Sequence, residues 1–420
     1  MDQKDEQRLN TGSGNTTIQI RLSRKVFVTL LLAMLLPWGV VAYLTIRGSV
    51  SQLEHAVGGM TPAVSHHEFV KGPWGLLDLE PFVLDYPSSH AIFDFDLEPY
   101  RQWTFRDCTL DQLRQKFASA GLSAANSETL LKAAIAAPEI KGFVIHPPDA
   151  LVRSFSPAVR AAVYSDLSHD VANVPQVRPF MFRGATLEEW FAGSGVSTAM
   201  LDQIRPLIYR RENYLMFSDP QLVVPSIESR IERIRLYRTL RRTATWRARV
   251  HLIEGTTPDA VLEYWGRPNR SSEIEPILSS LITRQEGIGI LVLLPPFARS
   301  RLYSYPDARQ HDELKHDCHW SALNFFNNPA DDRMVDGIAA ILTKEYDPIS
   351  GPTQLGDVVL MFVGDRLVHS CVYIAGDMVF TKNGIGVGDP FVLEKLDDVT
   401  RCYRGIYGPI RLAFCRRKGM

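Results

Sequence analysis

Three stretches of this chain repeat one another at a spacing of about 70 residues, a self-similarity that limits the fold to stacked supersecondary units. The first carries Leu110-Asp111-Gln112-Leu113, a helical run from Glu128 to Ile135, Phe143-Val144-Ile145, Pro147-Pro148, and then Arg160 with Tyr164. The second carries Leu187-Glu188-Glu189-Trp190, a run from Ala199 to Tyr209, Tyr214 to Phe217, Pro220 and Pro225, and then Arg233 with Tyr237. The third carries Leu262-Glu263-Tyr264-Trp265, a run from Glu273 to Thr283, Ile290 to Leu294, Pro295-Pro296, and then Arg299 with Tyr303. Each reads helix, helix, strand, helix, with an Arg-x-x-x-Tyr one helical turn apart that is suited to packing repeat against repeat.

Local chemistry supports those boundaries. Thr109 with Gln112 and Thr186 with Glu189 have the spacing of capping boxes, and Thr257 before Pro258 reads as an N-cap followed by proline at the first helical position. Gly121 stands where the first helix should stop. Alternating segments at Ile92 to Leu97, Arg178 to Phe182 and Trp246 to Leu252 suggest one added strand before each unit. The expected repeats are α/β units over 91-305, at about 91-176, 177-243 and 244-305. Such arrays more often present a binding surface than perform chemistry, so a protein bound by the repeats is one expected partner.

At 420 residues and 45% apolar composition the chain can bury a large core. Val26 to Ile46 is an uncharged apolar run, long enough at 1.5 Å per residue to cross a hydrocarbon layer of ~30 Å. Lys4, Arg8, Arg21, Arg24 and Lys25 precede it, whereas Arg47 is the only Lys or Arg between it and Lys71. The positive-inside rule then places 1-25 in the cytoplasm, 26-46 through a bilayer as a signal anchor, 47-90 as a juxtamembrane connector, and the bulk outside, in the periplasm if the cell is bacterial. A cleaved signal peptide is the rival, but no small-x-small site follows the run directly.

The formal charge of -1 gives no net drive toward nucleic acid, and none is expected as a partner. Eight arginines between Arg230 and Arg249 form a local exception. They read as a solvated helix face paired with Glu228 and Glu232, or as a surface for anionic lipid or an acidic polymer. The five cysteines, Cys108, Cys318, Cys371, Cys402 and Cys415, are odd in number, so at least one thiol stays unpaired or bridges between chains.

The pattern changes near Pro306. Asp317 can cap a helix over Cys318 to Asn327, with Trp320, Leu323 and Phe326 at core spacing and Asn328-Pro329 ending it. Cys318 then occupies the first helical position, where unpaired N–H groups and the dipole favour a thiolate. A second helix covers about Arg333 to Lys344. Strands follow at Val358 to Val363, Leu367 to Ile374 and Met378 to Lys382, joined by Gly364-Asp365 and Gly376-Asp377.

Asp317-Cys318 at a helix start, Gly356-Asp357-Val358-Val359 before a strand, and the run from His369 to Phe380 together resemble the NlpC-type cell-wall cysteine peptidases, a compact branch of the papain-like fold. The similarity covers about 306-420. It implies helices packed on an antiparallel sheet, with Cys318 as nucleophile, His369 as general base and a third polar residue on the next strand. Ungapped counting puts that third residue at Thr381; Asn383, two residues on along the same face, is preferred because an amide oxygen can hold a protonated imidazole in register. Asp-Cys-His-Trp replaces the family's usual Asp-Cys-Ser-Gly, and Cys371 stands where a small residue is common.

The expected fold is therefore α+β: an N-terminal transmembrane helix, three α/β repeats and a papain-like domain. The expected chemistry is acyl transfer through a Cys318 thioester on a peptide or amide, with peptidoglycan as the substrate the resemblance implies. A non-catalytic scaffold or binding protein that keeps the hydrolase shape is the alternative. No nucleotide loop, haem signature or zinc spacing appears, so no cofactor is expected. The cluster of His311, Asp312, His316, Asp317, Cys318 and His319 matches no standard metal pattern, and no metal is expected there.

Overall fold

In the segment Gly75–Leu84, Gly75, Leu77 and Leu79 are buried and alternate with the less buried Leu76, Asp78 and Glu80, the period of a half-buried strand. The computed structural model describes residues 67–91, 102–183, 186–211, 214–252, 257–281, 287–307, 315–332, 337–352 and 354–420. Here Glu68–Gly72 (β1) and Gly75–Leu84 (β2) form a hairpin, and β2 pairs antiparallel with Thr243–His251 (β9), from Leu76 opposite His251 to Leu84 opposite Thr243. The expected connector over 47-90 is thus a pair of sheet strands from 68 to 84, because its alternating leucines need a partner surface. The strand expected at Ile92 to Leu97 lies outside the described residues.

The repeats share one local order. In the first, Trp103–Phe105 (β3) leads into Leu110–Ser119 (α1) and Ala124–Lys132 (α2), then the hairpin Ala134–Ala137 (β4) and Gly142–Ile145 (β5), then Pro157–Leu167 (α3). In the second, Phe180–Phe182 (β6) leads into Leu187–Phe191 (α4) and Thr198–Ile204 (α5), then Tyr209–Arg211 (β7) and Tyr214–Phe217 (β8), then Arg230–Leu240 (α6). Their sheets have matching orders, β3-β5-β4 and β6-β8-β7. Both capping boxes are present, and Thr257 Oγ1 accepts the Ala260 N–H as an N-cap. Gly121 follows α1 with φ +83°, where a side chain would be strained.

The third unit departs from its siblings. After β9 come Pro258–Trp265 (α7) and Ser271–Leu281 (α8), then only Ile288–Gly289 (β10), which pairs with β9. Ile290–Leu293, expected as a strand, is a 3-10 turn leading to Pro296–Arg301 (α9). The physical reason is the core that these residues fill. Ile290, Leu293 and Leu294 instead fill a core shared with the C-terminal sheet, alongside Trp265, Val358, Ile374 and Phe380.

Of the three Arg-x-x-x-Tyr pairs, the first joins repeat to repeat. Arg160 Nη1 donates to Asp219 Oδ2 at 2.6 Å and to Tyr164 Oη at 3.2 Å, and Tyr164 Oη donates to Asp219, with Arg160 and Asp219 wholly buried. Arg233 instead bonds the Ile227 carbonyl, and Arg299 bonds Glu273. Several half-buried arginines of the rich segment are bonded within the fold: Arg238 donates to the Tyr86 carbonyl, Arg242 to Asp85 and the Trp190 carbonyl, and Arg247 to Glu80, while Arg230, Arg235 and Arg249 are exposed.

The C-terminal residues form a six-stranded antiparallel sheet of order β11-β16-β12-β13-β14-β15. Its strands are Tyr346–Ile349 (β11), Val358–Val363 (β12), Arg366–Ala375 (β13), Met378–Lys382 (β14), Phe391–Lys395 (β15) and Arg411–Arg417 (β16). Cys318–Leu323 (α10), Ile338–Glu345 (α11) and Leu396–Tyr407 (α12) pack around it. The helix expected from Cys318 to Asn327 ends at Leu323. The helix expected from Arg333 begins at Ile338, and residues 333–336 lie outside the described residues.

The architecture is mixed α/β with antiparallel sheets, and 60–420 form one compact unit. Among the described residues no helix is long and apolar enough to cross a membrane. The longest, α12, has 12 residues, about 18 Å against a hydrocarbon layer of ~30 Å. Against the expected N-terminal transmembrane helix and the single-pass placement outside a membrane stands the fact that no described helix spans a bilayer; the run 26–46 itself lies outside the described residues.

Candidate active site

Asp317 starts α10 as expected of a cap: its Oδ1 accepts the Trp320 N–H at 2.8 Å. The helix lays Trp320, Ala322 and Leu323 against Val372, Ile374 and Phe380 on one face of the C-terminal sheet. At its first position Cys318 meets an opening in that sheet. The β13–β14 ladder runs from Ala375 opposite Met378 to Val372 opposite Phe380 and goes no further, although β13 begins at Arg366 and β14 continues to Lys382. In the opening the Ser370 N–H reaches the Cys318 thiol, and the Lys382 ammonium pulls its pKa down.

Burial outweighs both. Cys318 is 6% exposed, and desolvation, with the Asp317 carboxylate adding to it, pushes the thiol up to about 12. The helix start therefore holds a neutral thiol here, and the expected thiolate/imidazolium pair is not the resting state. His369 is wholly buried, and desolvation, reinforced by nearby His319, lowers its pKa to about 3. Both groups are neutral because neither charge has enough solvent or partner to sustain it.

His369 lies on the other face of β13 from Ser370, stacked on Tyr403 of α12 with ring centroids 4.3 Å apart. Its Nε2 is 2.9 Å from Thr381 Oγ1, across the same opening. Thr381 Oγ1 donates to Asn383 Oδ1 at 3.1 Å, and Asn383 Nδ2 donates to Glu394 Oε1 at 2.6 Å. Arg183, from the second repeat, donates to the other oxygen of Glu394. This relay fixes proton positions by elimination. Glu394 paired with Arg183 is an acceptor, so the Asn383 amide faces it with its NH2 and offers its oxygen to Thr381. Thr381 spends its hydroxyl proton on that oxygen and must accept from His369, which puts the imidazole proton on Nε2. Nδ1 is left with a lone pair, buried and without a hydrogen-bond partner.

The helix that carries Cys318 packs on the Ser370 face of β13 and His369 lies on the other, and no hydrogen bond joins the two side chains. Thr381 contacts the imidazole directly and Asn383 stands behind it, so the preference for Asn383 holds only at one remove. Sequence reading missed Ser370, His319, Tyr403, Glu394 and Arg183. His319 Nδ1 lies 2.7 Å from Ser370 Oγ, which ties α10 to β13. A signal existed for Glu394, a carboxylate inside the apolar run Phe391–Lys395. Nothing local marked Arg183, 211 residues away in sequence. None of the five cysteines is in a disulfide.

Donor atoms of Asp317, Cys318 and His319 lie within 4.8 Å of one another. Asp317 Oδ1 is occupied by its helix cap and His319 Nδ1 by Ser370, and three consecutive residues make a poor closed shell for a four-coordinate ion. Of the other residues in the expected cluster, His316 stacks flat on Trp320 at 3.5 Å, and His311 and Asp312 lie outside the described residues.

Comparison with known proteins finds no match: no family model, no curated sequence and no solved structure is similar to this chain.

Proposed function

We propose that the C-terminal sheet carries a cysteine hydrolase site for peptide or amide bonds, with Cys318 as nucleophile and His369 as general base. The observation that carries this reading is the His369 imidazole, held at Nε2 by Thr381 while Nδ1 stays bare and unpartnered. A buried ring nitrogen without a partner costs about 1 to 3 kcal/mol, which is tolerated when the lone pair has work to do. Nδ1 takes the thiol proton as the Cys318 sulfur bonds to the substrate carbonyl carbon, and then gives that proton to the departing amine. The N–H of Cys318 at the helix start is the nearest oxyanion donor. Water cleaves the thioester, returning the thiol and releasing the acid.

A neutral thiol suits general-base rather than ion-pair catalysis, and proton transfer requires the thiol to turn toward Nδ1. Peptidoglycan stem peptides are the substrate class that the motif resemblance suggests. The competing reading, a binding protein that retains a hydrolase-like arrangement, draws support from the burial of both groups and the missing Cys–His hydrogen bond. Incubating the purified chain with wall sacculi and with a library of peptide amides separates them. New amine termini that vanish in both Cys318→Ala and His369→Ala support the hydrolase. No release by the wild type, or release that survives Cys318→Ala, rejects it.

A further inference from the structure

The relay behind His369 ends in a different part of the chain. Arg183 follows β6 of the second repeat, and its guanidinium grips Glu394 on β15 while standing over the Tyr214 ring at 5.4 Å. Tyr214 in turn donates to Asp398 of α12 at 3.3 Å. One repeat therefore clamps β15, two strands from the candidate base, and α12, the helix that stacks on it. A purely mechanical clamp would not need to connect, bond by bond, to an imidazole nitrogen.

We propose that Arg183 is a positioning residue that sets the tautomer of His369 by holding Glu394 as a hydrogen-bond acceptor. This rests on the reading of His369 as the base. The chain His369, Thr381, Asn383, Glu394 has two self-consistent polarities. With Glu394 ionised, protons point toward Glu394 and Nδ1 is bare. With Glu394 protonated, its O–H donates to the Asn383 oxygen, the Asn383 amide is turned over, and its NH2 donates to Thr381. Thr381 then donates to Nε2, so the imidazole proton must sit on Nδ1. In that polarity Nδ1 cannot accept the thiol proton.

The charges around Glu394 favour the second state once Arg183 is gone. Burial raises the Glu394 pKa, Asp398 adds to the rise, and Arg183 opposes both; Cys371 on β13, whose own pKa Glu394 helps to raise, supplies no cation. For Arg183, burial works against the charge, yet Glu394 overrides it and the guanidinium pKa rises. The pair is thus a switch held in one position by a residue of the repeats. This gives the second repeat a function at the site in addition to packing.

The test reads the tautomer directly, in full-length protein labelled with nitrogen-15 in its imidazole rings. His369 is identified by the signal lost in His369→Gln. At pH 7 the wild type and Arg183→Lys should show a bare Nδ1 and a protonated Nε2, whereas Arg183→Met should show the reverse or an average. Arg183→Met should also slow alkylation of Cys318 at least tenfold. A wild-type tautomer pattern in Arg183→Met overturns the proposal. If Arg183→Met does not fold, Thr381→Val cuts the same relay without touching the ion pair, and a wild-type pattern there overturns it equally. A tautomer that switches in a chain without hydrolase activity upholds the Arg183 role and rejects only the hydrolase. Hydrolysis with an unmoved tautomer does the opposite.

Discussion

Arg160 of the first repeat and Asp219 of the second form an ion pair from which water is wholly excluded, with Tyr164 bonded to the same carboxylate. The Arg160 guanidinium also donates to the Val152 carbonyl at 2.7 Å, so one side chain closes its own repeat and docks the next.

Arg160→Met should therefore leave Asp219 as an unpaired buried carboxylate. Removing one partner of such a pair costs about 3 to 5 kcal/mol, whereas exchanging both for apolar groups can be neutral. Urea unfolding of Arg160→Met and of Arg160→Met/Asp219→Leu distinguishes the two: the single variant should be the less stable. Equal stability of the single variant and wild type would contradict the pairing.

Thr381→Val keeps the shape of the side chain and removes the acceptor for His369 Nε2–H. A stability loss of about 1 to 3 kcal/mol is expected from the orphaned ring nitrogen. Turnover or Cys318 alkylation should fall with it, because the imidazole loses its orientation. Asn383→Ala, one bond further back, should lower stability while leaving the Thr381 contact in place.

His369 has a pKa lowered to about 3 by burial, against an unperturbed 6.5. A depressed basic group binds its proton in the unfolded chain first. The stability it supplies is present above pH ~6.5 and is lost as the pH falls toward 3, on the order of 5 kcal/mol across that window. Denaturant midpoints for wild type and His369→Gln should show the same pH dependence above pH ~6.5 and part below it, with the variant showing the shallower fall. Parallel curves would place His369 in solvent.

Cys318 behaves in the opposite direction. Burial pushes its thiol up to about 12, so iodoacetamide should modify it slowly at neutral pH, at a rate still climbing above the ~8.5 midpoint of a free cysteine. Its stabilising effect is present below pH ~9 and is lost as the pH rises toward 12, because the unfolded thiol ionises first. A midpoint below ~8 would show a thiolate that the buried geometry does not sustain.

The repeats were legible because their signals are local. Capping boxes at Thr109 and Thr186 bond groups three residues apart, and Tyr214–Phe217 is an apolar run with strand residues throughout. The first strand of each hairpin was not legible. Ala134–Ala137 and Tyr209–Arg211 continue runs of helical composition, and only pairing with β5 and β8 makes them strands. The fate of Ile290–Leu293 likewise depended on the C-terminal sheet whose core Ile290 and Leu293 share.

At the candidate site, chain order alone determined that Asp317 would cap a helix beginning at Cys318 and that His369 would ride a strand, because caps and alternation act over a few residues. The tertiary structure decided the charge state and the partners. Burial is a property of the assembled sheet, and it turned the expected thiolate into a thiol and the imidazolium into an imidazole. The proton on His369 is directed by Arg183 through three intervening side chains, an influence that exists only once the second repeat is folded against β15.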